Sequence, residues 1–227
     1  VKPLASTSES RGDIIAGIDE AGRGPLVGPM VVAAVVLTKA SLEKLAKAGV
    51  RDSKRLSRSA REKLAPIIIE NSLATIAVVL APKDLDENNI NTLEIKAIER
   101  ILTSISTILG FCPKTYVDLF APLEKISNLY SICPDMVAEY GADARYYVVG
   151  AASIVAKVLR DWHIEKIKNL VGDFGSGYPS DPRTREWISS ADAEDIKLIS
   201  PFIRHKWGTL NKLRRYVNTL DKYILNG

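Results

Sequence analysis

Four acidic residues sit where acids are costly. Asp19 and Glu20 follow the apolar run Ile14-Ile15-Ala16-Gly17-Ile18, Asp118 follows Thr115-Tyr116-Val117, and Asp143 opens a helical segment. A carboxylate bordering an apolar strand is expensive unless it is paired or bound to a cation. Mg2+ and Mn2+ take oxygen ligands, which carboxylates converging on one strand edge supply. Two such ions about 3.5–4 Å apart hydrolyse phosphodiesters by activating water and stabilising the leaving oxygen. Asp143 reads equally well as an ordinary acid at a helix start. Successive strand residues face opposite sides, so Asp19 and Glu20 together predict a strand end or bulge, which Gly22 and Gly24 would permit. Neither histidine has a companion at metal-ligand spacing, which argues against zinc, and no Ser–His–Asp order is visible.

The elements that must position these acids follow from apolar periodicity. Apolar runs predict strands at residues 14–18, 30–37, 73–80 and 114–120, with a further strand near 136–140. Ser41 and Ser57 are candidate caps for helices ending near 48 and 71. Leu93, Ala97, Ile98, Ile101, Leu102, Ile105 and Ile108 recur at helical spacing within residues 91–109. A long helical segment covers about 143–170, a loop 172–182, a short helix 183–191 and a basic helix about 206–225. The order predicts an α/β fold, a mixed sheet flanked by helices. The expected organisation is a disordered tail at 1–12, a catalytic core at 13–180 and a C-terminal helical extension at 181–227.

The 227 residues, 46% hydrophobic and 26% charged, can bury a sizeable core. The net charge of +4 has the sign a polyanionic partner requires, though many enzymes share it. The longest apolar stretch, residues 30–37, is too short to span a bilayer, and residues 1–12 do not resemble a signal peptide. Cys112 and Cys133 lack CxxC spacing and are expected as separate buried thiols, in keeping with a cytoplasmic location.

The stretch Gly17-Ile18-Asp19-Glu20-Ala21-Gly22-Arg23-Gly24-Pro25-Leu26-Val27-Gly28-Pro29 resembles the N-terminal signature of type 2 ribonuclease H (ribonuclease HII), archaeal members above all. Three further blocks agree in order and spacing: Asp52-Ser53-Lys54, Ala151-Ala152-Ser153-Ile154-Val155-Ala156-Lys157 with Arg160-Asp161, and Gly175-Ser176-Gly177-Tyr178-Pro179-Ser180-Asp181-Pro182. The resemblance covers residues 13–215. It implies a ribonuclease H-like core and a metal-dependent endoribonuclease that hydrolyses the RNA strand of RNA/DNA hybrids. It also implies cutting 5′ of ribonucleotides embedded in duplex DNA, leaving 5′-phosphate and 3′-hydroxyl ends. By this resemblance the catalytic residues and ligands of two divalent cations, Mg2+ or Mn2+, are Asp19, Glu20, Asp118 and Asp143.

Substrate contacts follow the same resemblance. Gly22-Arg23-Gly24 is assigned to the ribonucleotide junction, where backbone must approach the sugar closely; a tight turn explains it otherwise. Tyr178 is assigned to sensing the 2′-hydroxyl, although a loop tyrosine is often a packing residue. Lys54, Ser153 and Lys157 are expected phosphate contacts, the last two sharing a helix face. Arg204, His205, Lys206, Lys212, Arg214 and Arg215, around Trp207 and Tyr216, read either as a duplex-binding helix or as an exposed helix face. No sliding-clamp-binding peptide is recognisable near residues 222–225, and the chain is expected to act as a monomer without a membrane. A DNA-junction resolvase would share the acids but not explain Gly22-Arg23-Gly24 with Tyr178. A non-catalytic binding module would not explain four intact acids.

Overall fold

The apolar runs that open the sequence become the middle of a sheet. The structure, a computed structural model, describes residues 11–50 and 56–208. Strands β1 (Ile14–Ala21) and β2 (Met30–Thr38) are buried along almost their whole length, which is why neither alternates polar with apolar. With β3 (Ala74–Leu80), β4 (Lys114–Asp118) and β5 (Met136–Glu139) they form a five-stranded mixed sheet in the order β3-β2-β1-β4-β5. β1 runs antiparallel to β2 and parallel to β4, and β4 runs parallel to β5. The α/β fold expected from the sequence is therefore the one observed.

Helices supply the crossovers that parallel strands require. α1 (Lys39–Lys47), α2 (Arg58–Glu70), α3 (Pro82–Glu87) and α4 (Ile90–Leu109) precede β4, and a 3-10 helix, Leu123–Ser131, joins β4 to β5. After β5 come α5 (Ala142–Arg145), α6 (Tyr147–Val171), α7 (Pro182–Ser190) and α8 (Ala193–Ile199). The Ser57 hydroxyl caps α2 by accepting from Ala60 N at 3.2 Å, as the sequence suggests. At α1 the cap is Thr38 instead, accepting from Ser41 N at 3.1 Å. Its extended backbone serves as both the last strand residue and the helix cap. α4 buries Ala97, Ile98, Ile101, Leu102 and Ile105 of the predicted stripe, while Leu93 near its start is half-buried and Ile108 at its end is exposed.

The start of α6 lies against β1. A side chain at Gly17 would collide with the backbone of Val148 and would stand 2.6 Å from Val149 N, so glycine is what admits the helix there. Ala151 and Ala152 are fully buried on the same helix.

Contacts divide the chain into two compact units. The first comprises the residues up to Ala21, Val31–Val78 and Asn91–Val158; the second comprises Gly22–Met30, Val79–Ile90 and Leu159 onward. The second has its own apolar core, with Leu26, Phe174, Ile188, Ile196 and Ile199 buried and Trp187 and Trp207 packed against it. Arg11 to Asp13 form a short 3-10 turn. Residues 1–10, 51–55 and 209–227, including most of the expected basic helix, lie outside the described residues.

One expectation is overturned. Cys112 and Cys133 form a disulfide, with Cα atoms 5.3 Å apart, rather than two separate thiols. Register explains it: Thr115 pairs with Met136 in the parallel β4–β5 ladder, and each cysteine stands three residues before one of those partners. The argument from free thiols to a reducing compartment therefore falls. No described helix is long and apolar enough to cross a membrane.

Candidate active site

The first unit collects three of the predicted acids. Ligand oxygens of Asp19, Glu20 and Asp118 all lie within 4.8 Å of one another. The ladder accounts for two of them. β1 and β4 pair in parallel as far as Ile18 and Val117, so Asp19 and Asp118 come next at equivalent positions and face the same side. Glu20 joins them at the expected strand end, since β1 stops at Ala21, one residue further on, and no bulge is needed. β1 stays in register with β2 through Ala21 and Val31, and Asp19 pairs with Ala33. β4 also ends there, at Asp118.

Asp19 is buried, and burial, Glu20 and Asp118 together hold its carboxyl well above the usual carboxylate range. A hydrogen bond from the Ser153 hydroxyl and one from the Glu20 backbone N–H, 2.8 Å from Asp19 Oδ1, pull the other way. Ser153 is itself fully buried, and Lys157 donates to its hydroxyl at 2.8 Å. The predicted helix face is real, but the structure turns Ser153 toward Asp19 and links it to the cation of Lys157. Lys54 lies outside the described residues.

Asp143 is buried in the first turn of α5, after Gly141 in the left-handed region. It is outside the group of three, yet tied to it by backbone: Ala142 N donates to Asp118 Oδ1 at 2.9 Å. Three acids, one deeply buried and raised in pKa, make a donor set suited to hard divalent cations. Among the described residues no other group of three or more metal-ligating side chains occurs.

The second unit assembles the predicted substrate residues. Segment 22–28 lies against the loop carrying Tyr178: Leu26 N and Val27 N both donate to Gly177 O, at 2.7 and 3.3 Å. That loop is tied internally by Ser176 N to Asp181 Oδ2 at 2.7 Å and Gly177 N to Thr184 Oγ1 at 3.0 Å. Gly22 has φ +90, and a side chain there would stand 2.7 Å from both Arg160 Cδ and Pro29 O. At Gly24 a side chain would meet only the Tyr178 ring, at 3.8 Å, so that position is open and faces the tyrosine. The guanidinium of Arg160, 4.9 Å from the ring centroid, backs Tyr178 and donates to Ser176 O at 3.1 Å.

A ribonuclease HII family model matches residues 16–210. The chain belongs to the ribonuclease HII family. It is accordingly a hydrolase of a nuclease family with ribonuclease H activity on RNA/DNA hybrids. It is 39% identical over 221 residues to a ribonuclease HII of Pyrococcus horikoshii, covering 92% of this chain and 99% of that one. A crystal structure of the ribonuclease H2 from Pyrococcus horikoshii OT3 is similar at a TM-score of 0.74 and 37% identity, covering 91% of this chain and 98% of that chain. The ribonuclease HII in a PCNA:RNase HII complex from Archaeoglobus fulgidus is similar at 0.76 and 39%, covering 88% and 96%. Residues 222–225, where no clamp-binding peptide is recognisable in this chain, lie outside the described residues.

Within this family site, sequence reasoning missed Arg204. The sequence places it among basic residues of a duplex-binding helix or an exposed helix face, whereas it is fully buried between a 3-10 turn, Ser200–Phe202, and Trp207. Its neighbours Phe202 and Ile203 were the only local hint that the backbone turns inward there.

Proposed function

We propose that this ribonuclease HII-family chain hydrolyses the RNA strand of RNA/DNA hybrids and cuts 5′ of ribonucleotides embedded in duplex DNA, leaving 5′-phosphate and 3′-hydroxyl ends. The observation that carries the chemistry is the carboxylate group at the end of β1 and β4, with oxygens within 4.8 Å. Asp19, Glu20 and Asp118, with Asp143 completing the set, would hold two divalent cations, Mg2+ or Mn2+. Such ions supply activation of the attacking water and stabilisation of the leaving oxygen. Asp19 is the acid most in need of a cation, since burial and two neighbouring carboxylates oppose its charge. Ser153 orients Asp19, and Lys157 places positive charge behind that hydroxyl, which leaves Lys54 and Lys157 as the phosphate contacts.

Sugar reading is assigned to Gly22-Arg23-Gly24 and Tyr178. The closeness of Gly24 to the Tyr178 ring, which an added Cβ would touch at 3.8 Å, supports this, because it sets bare glycine backbone and an aromatic ring side by side for one sugar to meet. In sequence, only Ala21 separates the acid Glu20 from this segment.

The test is cleavage of a duplex carrying one ribonucleotide, beside an RNA/DNA hybrid, an all-DNA duplex and a four-way DNA junction, with and without Mn2+. Cation-dependent cutting on the 5′ side of the ribonucleotide and within the hybrid is expected. Equal cleavage of the all-DNA duplex, or preference for the junction, would overturn the reading.

A further inference from the structure

The second unit buries a cation to which no carboxylate among the described residues is bonded, and its place in the loop assigns it a task. Arg204 is fully buried. Its Nη2 donates to Gly22 O at 2.5 Å and Gly28 O at 3.0 Å, its Nη1 to Arg23 O at 3.0 Å, and its Nε to Gly28 O at 3.1 Å. Its own backbone N–H donates to Leu26 O at 2.9 Å. One side chain thus gathers both ends of segment 22–28.

The direction of those carbonyls fixes the direction of the amides. The described peptide bonds are all trans. In a planar trans peptide the C=O and the following N–H point to opposite sides. With Gly22 O and Arg23 O turned inward to the guanidinium, the N–H groups of Arg23 and Gly24 point outward. Successive amides aimed the same way form a receptor for a phosphate or hydroxyl oxygen. The guanidinium is held from behind by the Trp207 ring, 5.0 Å to its centroid. Asp86 braces the next stretch of backbone, accepting from His205 N at 2.7 Å and Lys206 N at 3.0 Å. Burial, with Arg160 nearby, pushes the Arg204 pKa down to about 10, so it stays charged at neutral pH.

We propose that Arg204 is a positioning residue for ribonucleotide recognition, drawing the carbonyls of Gly22, Arg23 and Gly28 onto one buried guanidinium and so presenting the Arg23 and Gly24 amides to the substrate. This rests on the reading of Gly22-Arg23-Gly24 as the sugar-reading loop. Lysine keeps the charge but offers one point of attachment, so it cannot hold three carbonyls in a fixed fan. A contact that only stabilised the fold would lower the melting temperature and leave turnover of the folded protein alone. Loss of loop positioning instead lowers kcat, while KM, set by many phosphate contacts, changes little.

The experiment compares the full chain with Arg204→Lys and Gly24→Ala on a duplex carrying one ribonucleotide, well below each melting temperature. The added methyl at Gly24 fits the free protein, in contact with the Tyr178 ring at 3.8 Å, and covers glycine backbone that the sugar would approach. Both variants are expected to lose kcat, Arg204→Lys by about tenfold or more, with KM within about twofold. Calorimetric Mn2+ binding by the acid cluster should match the parent. If Gly24→Ala is impaired and Arg204→Lys turns over like the parent, the inference about Arg204 is overturned while the loop reading stands. If Gly24→Ala cleaves like the parent, the loop reading itself fails and takes the inference with it. Should Arg204→Lys not melt cooperatively, Trp207→Leu carries the test: a smaller fall in kcat is expected, and an unchanged kcat overturns the inference.

Discussion

At the end of β1, Asp19 is buried with two carboxylates beside it; in the second unit, Arg204 is buried with three carbonyls and an indole ring around it. Both groups are ionisable and lie away from water, yet their surroundings differ in sign and completeness. Arg204 donates four hydrogen bonds to backbone oxygens and needs nothing further from outside. Asp19 receives help from Ser153 and the Glu20 amide, but burial and its acidic neighbours outweigh it. The lesson is a division of labour. Charge complete in itself shapes a loop, whereas charge left in surplus invites a ligand. The acids of the Tyr178 loop fall on the first side of that line, since Asp181 is held below its ordinary pKa by hydrogen bonds from Ser176.

The sharpest way to break this contrast is Asp19→Asn. Cleavage of an RNA/DNA hybrid should fall by on the order of 10³-fold or more, measured as kcat/KM. In the absence of divalent ions the same variant should melt no lower than the parent, because it removes a carboxylate from a crowded group. A large loss of metal-free stability would show that Asp19 is structural. In the second unit the opposite is expected of Gly22→Ala. The new methyl would press on Arg160 and Pro29 at a backbone conformation that disfavours alanine, costing about 2–3 kcal/mol in denaturant unfolding.

Tyr178→Ala sharpens the comparison at substrate level. It should lower cleavage at a single embedded ribonucleotide by roughly tenfold, and a long hybrid by less, since one stacking contact is worth about 1–3 kcal/mol. Equal loss on both substrates would argue that the ring supports the loop and does not read the sugar. The smallest effect concerns pH. The folded protein holds the Asp19 proton more tightly than the unfolded chain does. The unfolded chain therefore binds fewer protons, and stability from this group, full below the ordinary Asp range, is lost as pH rises through the folded carboxyl's range. Thermal melts without metal should show the parent losing stability toward neutral pH relative to Asp19→Asn, and saturating Mn2+ should erase the difference.

Much of this was legible in the sequence because it is local. The buried strands 14–18 and 30–37, the stripe of α4 and the acids themselves each appear within a short window. The family blocks around residues 17–29, 151–161 and 175–182 named the loop and tyrosine that the second unit brings together. What stayed hidden depends on partners far along the chain. Arg204 meets Gly22 and Arg23 across separations of 182 and 181 residues, so no window reveals that a basic residue there points inward. The disulfide depended on a ladder register that the sequence does not print. For Glu20 the sequence left open a bulge or a strand end, and only the ladder tells which: β1 keeps its register with β2 and ends at Ala21.

The unbroken ladder between β1 and β2, with Asp19 opposite Ala33, turns the first strand into a ruler. Position along it is counted as strictly as chemistry is chosen. Inserting or deleting one residue ahead of Asp19 would send its carboxylate to the other side of the sheet and put an aliphatic chain, or Glu20, in its place. A scan of single-residue deletions through Ile14–Ala21 would therefore be far less forgiving than a scan of substitutions over the same eight positions.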